Sequence, residues 1–198
     1  MNPAIRLALE QDAESILAIY KPFCVSTAVS FETDPPSIEE MARRIRSTLQ
    51  RFPWLVVDHG EKVLGYAYAG PHRERAAYRW SVEATAYVSQ SQRRMGIGRA
   101  LYTSLFHILK LQGFYNAYAG ITLPNPASVG LHESVGFRPV GVYRNVGYKL
   151  GAWHDVGWWQ LTIQGHCDRP DAPKDLPEVV KHPDWTQSLK AGLPLLRI

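Results

Sequence analysis

Cysteine is scarce in this sequence: Cys24 and Cys167 are its only two among 198 residues. Two cannot build a disulfide framework, so a reducing cytoplasm is the expected setting. Long apolar runs are missing as well. No stretch approaches the roughly 20 residues that a membrane span requires, and Met1 to Glu10 has no signal-peptide core. Nor does one sign of charge dominate: 22 Lys and Arg stand against 18 Asp and Glu, a formal +4. Such a balance suits anionic ligands, or is simply an ordinary basic surface, and does not demand nucleic acid. The arginines form no aromatic-basic stripe of the kind that grips single strands. No internal repeat is visible. What is present is a 45% hydrophobic composition, enough for one well-buried core and one domain.

Strands and helices alternate along the chain. Ile5, Leu7 and Leu9 alternate with Arg6 and Ala8, as in a short strand. Asp12 is placed to cap a helix whose apolar side carries Ile16, Ile19 and Tyr20. Ser37 and Glu40 have capping-box spacing, and Ile38, Met41, Ala42, Ile45 and Leu49 follow at helical intervals. Pro53 ends that helix near Arg51. Trp54–Asp58 and Val63–Ala69 flank His59 and Gly60 as a hairpin. Trp80–Val88 is a strand rich in aromatic and β-branched types. A polar, glycine-bearing segment, 89–98, then leads to a helix from about Arg99 to Gln112, with Gly113 as its stop. Ala117–Ile121 reads as a strand and Pro126–Val135 as a short helix ending at Gly136. Strands around Val140–Val146 and Trp153–Ile163 complete the pattern. The expected class is α/β (α+β): one domain over 1–164, a mixed central sheet flanked by helices. From Gly165 to Ile198 five prolines and few periodic apolar positions predict an irregular tail. It either wraps the domain or a partner subunit, or is disordered.

The chemistry lies between Trp80 and Phe137. Gln92-Arg93-Arg94-Met95-Gly96-Ile97-Gly98-Arg99 joins a strand to a helix start. Exposed backbone N–H groups and the positive end of the helix dipole make such a junction an anion site. Glycine at 96 and 98 lets the backbone approach a diphosphate closely, and Arg93, Arg94 and Arg99 add positive charge. On pattern alone, a glycine-containing turn opening a structural helix reads equally well.

Arg93-x-x-Gly96-x-Gly98 after a strand resembles the acyl-CoA pyrophosphate loop of the GNAT superfamily of N-acetyltransferases. Downstream, Asn125-Pro126-Ala127-Ser128 leading to His132 and Gly136-Phe137 is similar to that superfamily's second signature. Two signatures in the right order are far more specific than either alone. Phe52-Pro53-Trp54-Leu55-Val56, Ala67-Tyr68-Ala69-Gly70-Pro71, Trp80-Ser81-Val82-Glu83-Ala84-Thr85 and Trp153-His154-Asp155-Val156-Gly157-Trp158-Trp159-Gln160 resemble the branch acting on phosphinothricin, methionine sulfoximine and methionine sulfone. The similarity covers about Ile5 to Ile163 and omits the tail.

The resemblance implies the acyl-CoA N-acyltransferase fold, with splayed strands at the acetyl-CoA site, and a homodimer. It implies acetyl-CoA as the donor and a small-molecule amine as acceptor, with no metal, nucleic acid or membrane. A protonated amine must lose its proton before attack, and a carboxylate is the expected base, directly or through one water. Glu83 is that carboxylate by resemblance; by strand alternation alone it reads as a solvated face residue. Thr85, Ala86, Tyr87 and Val88 would line the cofactor, with an N–H near Tyr87 or Val88 stabilising the thioester carbonyl as it gathers charge. Met95 and Ile97 join the loop residues in holding the diphosphate. His132, where the superfamily usually has tyrosine, is expected to protonate the departing thiolate, with a base role as the alternative. Asn125 and Ser128 are expected at the pantetheine arm, Asn125 also as a helix cap. Arg73 and Arg75 match positions that bind the acidic end of the substrate. Phe31 and Tyr78 match aromatic pocket positions, and Trp159 is expected to wall the pocket. Ser30-Phe31-Glu32 departs from the branch's frequent Asn-Phe-Arg, which bears on the substrate and not on the reaction.

Two other classes stand beside this reading. A protein or peptide N-acetyltransferase on the same fold would need an open groove, against which the aromatic residues argue. A catalytically idle acyl-CoA binder would need neither Glu83 nor His132.

Overall fold

Strand propensity and long-range pairing build one seven-stranded sheet in the computed structural model, which describes residues 2–60 and 62–198. Met1, the first residue of the stretch read as lacking a signal-peptide core, lies outside them. The strands are β1 (Ala4–Leu7), β2 (Trp54–His59), β3 (Lys62–Pro71), β4 (Ser81–Val88), β5 (Asn116–Leu123), β6 (Arg138–Lys149) and β7 (Ala152–Thr162). Their spatial order is β1-β2-β3-β4-β5-β7-β6. Every neighbouring pair is antiparallel except β4 and β5. A parallel pair needs a crossover, and the helix α3 (Ile97–Gln112) supplies it. Among the described residues no helix is long and apolar enough to cross a membrane.

Two cores follow from the period-2 alternation of the strands. On one face, α1 (Ala13–Ser26) and α2 (Ile38–Leu49) pack Ile16, Phe23, Met41 and Ile45 against Trp54, Val56 and Tyr66. On the other, α3 packs Leu101, Leu105, Ile108 and Leu109 against Leu55, Val57, Ala67, Val82 and Ala84. The helix α4 (Pro126–Ser134) lies on the α3 face, where Val129 and Leu131 meet the same core.

Local signals behave as physics dictates, with instructive exceptions. Ser37 accepts the Glu40 N–H at 3.1 Å, as its spacing predicts. Asp12 does not cap α1 with its side chain; its oxygens are taken by the Arg6 guanidinium at 2.7 and 2.8 Å and the Leu9 N–H. Charge-assisted bidentate pairing outcompetes a cap. The α3 helix opens at Ile97, two residues before the sequence pattern starts, because Gly96 takes φ 78° and turns the chain into it.

The tail is not irregular throughout. It carries α5 (Leu176–Val179) and α6 (Trp185–Lys190), and it wraps the domain on the α3 face. Leu176 and Val179 are almost fully buried in the α3 core, each stabilising by about 2 kcal/mol. The Gln112 side chain donates to both Arg51 O and Lys174 O, at 2.7 and 2.9 Å. Hydrophobic periodicity misses such a segment, because short helices docked by one or two anchors carry no repeating pattern.

Candidate active site

The parallel pair β4–β5 is the origin of the site. Its register runs only from Ser81–Asn116 to Glu83–Tyr118. Beyond Glu83 the two strands part, while β4 stays paired with β3 out to Val88 and β5 with β7 out to Leu123. The sheet therefore opens in a wedge, and Thr85, Ala86, Tyr87 and Val88 lie along its unpaired edge. A free strand edge presents N–H and C=O groups to any extended ligand that enters.

Glu83 stands at the apex of this wedge. Val82 and Ala84 point into the α3 core, so alternation turns Glu83 to the opposite face. Its Oε1 lies 3.1 Å from His72 Nδ1 and 3.9 Å from an Arg73 nitrogen. The His72 ring stacks on Tyr118 with centroids 4.2 Å apart and meets Tyr78 and Trp158 edge-on at 6.0 Å. The Arg73 guanidinium lies 5.8 Å from the Trp158 ring centroid, within cation–π reach. A carboxylate is thus held in a half-exposed aromatic box carrying one imidazole and one guanidinium.

Two members of that box were not read from the sequence. His72 sits just past β3, where no periodic or motif signal marks it. Trp158 is adjacent to the expected Trp159 and takes its place beside Glu83. Trp159 faces the other way, buried at 7% exposure in the α3 core with Nε1 donating to Glu133 Oε1 at 3.3 Å. Neighbouring strand residues face opposite sides, and sequence could not say which side held the box. Trp158 Nε1 is buried without a protein partner, an arrangement that favours a polar ligand. Tyr78 is 43% exposed at the edge of the box, and Arg75 precedes it at the start of the short turn Ala76–Tyr78. Phe31 packs instead on the β6–β7 hairpin, against Gly147 and His154. Its neighbour Glu32 is paired with Arg44 at 2.7 Å. That pair edges a cavity of about 170 Å³ walled by Tyr20, Trp54, Tyr66 and Tyr68.

On the α3 side the geometry is that of an anion cradle. The first turn of α3 has no side-chain cap and no acidic residue, so its leading N–H groups are free for a ligand. Arg94 and Gly96 both take left-handed backbone, φ 64° and 78°, which folds the loop into a concave turn. Arg93 and Arg99 flank it. The donor set fits a diphosphate. Gly98 has a further reason to be glycine: a β-carbon there would fall 2.9 Å from the Leu131 side chain of α4. A separate groove of about 350 Å³ runs along α3 and takes in Arg99, Thr103, His107 and Lys110.

The second signature lies across the wedge. Asn125 caps α4, its Oδ1 accepting the Ser128 N–H at 3.1 Å, which leaves its amide hydrogens for a ligand. His132 is buried, with Nδ1 2.8 Å from Ser128 O and Nε2 2.8 Å from the Tyr102 hydroxyl. A carbonyl only accepts, so Nδ1 carries the proton and Nε2 accepts from Tyr102. The Tyr102 hydroxyl also lies 3.5 Å from Ala84 O on β4. Burial pushes the His132 imidazole below its ordinary pKa, so it is neutral at pH 7. Since the unfolded chain takes up a proton near pH 6.5 and the folded chain resists it, this stability is present above about pH 6.5 and lost as pH falls through the folded value. The thermal midpoint should therefore drop between pH 7 and 5, above the range where carboxylates titrate. His132→Asn should flatten that part of the profile; an unchanged slope would mean that His132 is not the group responsible.

Comparison with known proteins agrees with this geometry. Residues 5–158 match the family model of the Acetyltransferase (GNAT) domain. A phosphinothricin N-acetyltransferase of Streptomyces viridochromogenes is 42% identical over 160 residues, 81% of this chain and 87% of that protein. An L-methionine sulfoximine/L-methionine sulfone acetyltransferase of Pseudomonas aeruginosa is 34% identical over 165 residues, 82% of this chain and 96% of that one. The crystal structure of a phosphinothricin acetyltransferase from Sinorhizobium meliloti in complex with AcCoA superposes with TM-score 0.81 at 34% identity, covering 86% of this chain and 94% of that one. With the family model spanning most of the chain and relatives of this identity covering four-fifths of it, this chain belongs to the GNAT family of acetyltransferases.

Proposed function

We propose that this enzyme moves acetyl from acetyl-CoA directly to the α-amine of a small anionic amino acid analogue of the phosphinothricin, methionine sulfoximine or methionine sulfone type. One observation carries the reading. The β4–β5 pairing ends at Glu83, so the carboxylate held by His72 and Arg73 stands where the sheet opens toward the α3 cradle. Acetyl-CoA, when bound, supplies the acetyl group as an activated thioester. The residues that would hold it are Arg93, Arg94, Met95, Gly96, Ile97, Gly98 and Arg99 at the diphosphate, the β4 edge 85–88 at the acyl arm, and Asn125 and Ser128 opposite.

Each remaining role belongs to a residue of this chain. Glu83 accepts the amine proton, directly or through a water, and His72 steadies its carboxylate. Backbone N–H groups near Tyr87 and Val88 offer donors to a carbonyl oxygen gaining charge. His132 serves the departing thiolate through Tyr102. Its unprotonated Nε2 first takes up, by way of the hydroxyl, the proton that the attacking nitrogen sheds. It returns that proton by the same path to the thiolate, so that the tyrosine is never left charged. Tyr102→Phe should therefore lower kcat about as much as His132→Asn, by roughly 10²-fold, with the double variant no worse than either single one. Additive losses measured in steady-state kinetics would separate the two residues.

Arg73 and Arg75 supply the charge that selects an acidic substrate tail, beside Tyr78 and Trp158. Arg75→Ala should raise the substrate KM by about tenfold, on the scale of one charge-assisted hydrogen bond, and more for substrates with two acidic groups. An equal rise for neutral amines would remove that role. The decisive experiment is a thiol-release assay with acetyl-CoA against a panel of amino acid analogues. Turnover confined to analogues with a tetrahedral polar tail is expected; turnover only on peptide N-termini would replace this reading.

We further infer a homodimer in a reducing cytoplasm. The hairpin β6–β7 ends the sheet with Val140, Val142, Tyr143, Val146 and Trp153 exposed, an apolar edge of the sort that a second subunit covers. Cys24 and Cys167 are both free thiols.

A further inference from the structure

The last residues of the chain lie on the diphosphate cradle, beyond the matched residues 5–158. After α6, Gly192 donates its N–H to Ser104 Oγ at 3.0 Å, anchoring the segment to α3. Gly192 runs so close that a β-carbon there would collide with Ala100 O, in the first turns of the helix. Leu193, Leu195 and Leu196 then pack on the α3 core. Leu195 O lies against Gly96, where any β-carbon would strike it. Finally Arg197 donates its backbone N–H to Met95 O at 3.0 Å.

That last bond has a geometric consequence. The Met95–Gly96 peptide is trans, and in a trans peptide the carbonyl and the following N–H point in opposite directions. Holding Met95 O toward the tail therefore turns the Gly96 N–H away from it. The tail thus holds the carbonyl edge of that peptide and leaves its N–H edge to a ligand. Resting on the acyl-CoA reading above, we propose that the C-terminal strap Gly192–Arg197 is a positioning element of the cofactor site, which sets the loop amides by gripping the Met95–Gly96 peptide.

The test separates the strap's backbone from its side-chain charge. Arg197→Pro removes the N–H donor, whereas Arg197→Ala removes the guanidinium and keeps the donor. Calorimetric titration of the full-length protein with CoA should show Arg197→Pro binding about three- to tenfold more weakly, the scale of one hydrogen bond, and Arg197→Ala binding like the parent. In kinetics, KM for acetyl-CoA should rise by the same factor for Arg197→Pro while kcat and the amine KM hold. Parent-like CoA affinity in Arg197→Pro would overturn the proposal. So would an equal loss in Arg197→Ala, which would assign the effect to charge. Should Arg197→Pro not fold, Ser104→Ala decides by releasing the anchor at Gly192: weaker CoA binding supports the strap and unchanged binding removes it. A parent protein that binds no CoA would sink the acyl-CoA reading itself, an outcome distinct from any of these.

Discussion

Glu83→Gln is expected to lower kcat by roughly 10²–10⁴-fold, the usual range for a general base, with little change in acetyl-CoA affinity. Glutamine keeps the shape and the hydrogen bond to His72 Nδ1 but cannot take up the amine proton. The cofactor should be indifferent, because the residues assigned to it lie on the β4 edge and on the α3 side of the sheet, while Glu83 faces the aromatic box. The check is a pair of measurements on one variant: steady-state turnover at saturating substrates, and CoA binding by calorimetry. Full turnover at neutral pH would remove Glu83 from the chemistry. Loss of both turnover and binding would mean that the wedge itself had been disturbed.

Gly96→Val carries the second large expectation. Two effects act at once. Gly96 has φ 78°, where a β-branched residue is strained by about 1–3 kcal/mol. A β-carbon would also collide with Leu195 O of the strap. Valine therefore has to push the tail off the loop before it can crowd a diphosphate on the far side. The expected result is a lower thermal midpoint together with CoA binding at least tenfold weaker, on the scale of 1–3 kcal/mol of misplacement. Calorimetry and thermal unfolding on the same preparation check both. In a chain lacking residues 192–198, Gly96→Val should cost less stability than it does in the full-length chain, since one of its two causes is then gone. CoA affinity equal to that of the parent in Gly96→Val would refute the placement of the loop as the diphosphate cradle.

Legibility differed from residue to residue. The turn into α3 was readable because it is local: the Arg93-x-x-Gly96-x-Gly98 spacing is contiguous, and a helix start without a side-chain cap follows from it. The Ser37 cap and the α4 cap at Asn125 were readable for the same reason. Asp12 was misread because its partner Arg6 comes from a strand, and a capping preference does not anticipate a bidentate ion pair. Wrapping of the domain was among the readings of the tail, but its short helices were not legible because Leu176 and Val179 dock as isolated anchors.

The aromatic box shows the boundary most clearly. Trp158 and Trp159 face opposite sides of β7, and the resemblance pointed to the second of them. Trp158 lines the box because β7 pairs with β5 in the register Gly120–Trp158, which sets its ring over the strand beside His72 and Tyr118. His72 carried no signal at all, since its meaning lies in a contact with Glu83 eleven residues away.

The sequence by itself determined the alternation of strands and helices, the glycine turn that opens α3 and the family. These are properties of neighbours along the chain, where backbone geometry and side-chain spacing act directly. Only the tertiary structure decided which face of the sheet holds the box, where β4 and β5 part, which ring nitrogen of His132 carries the proton, and that the tail grips the loop before α3. Each of those depends on pairing register or on contacts between distant segments, and period-2 and period-3.6 patterns carry no information about which distant segments meet.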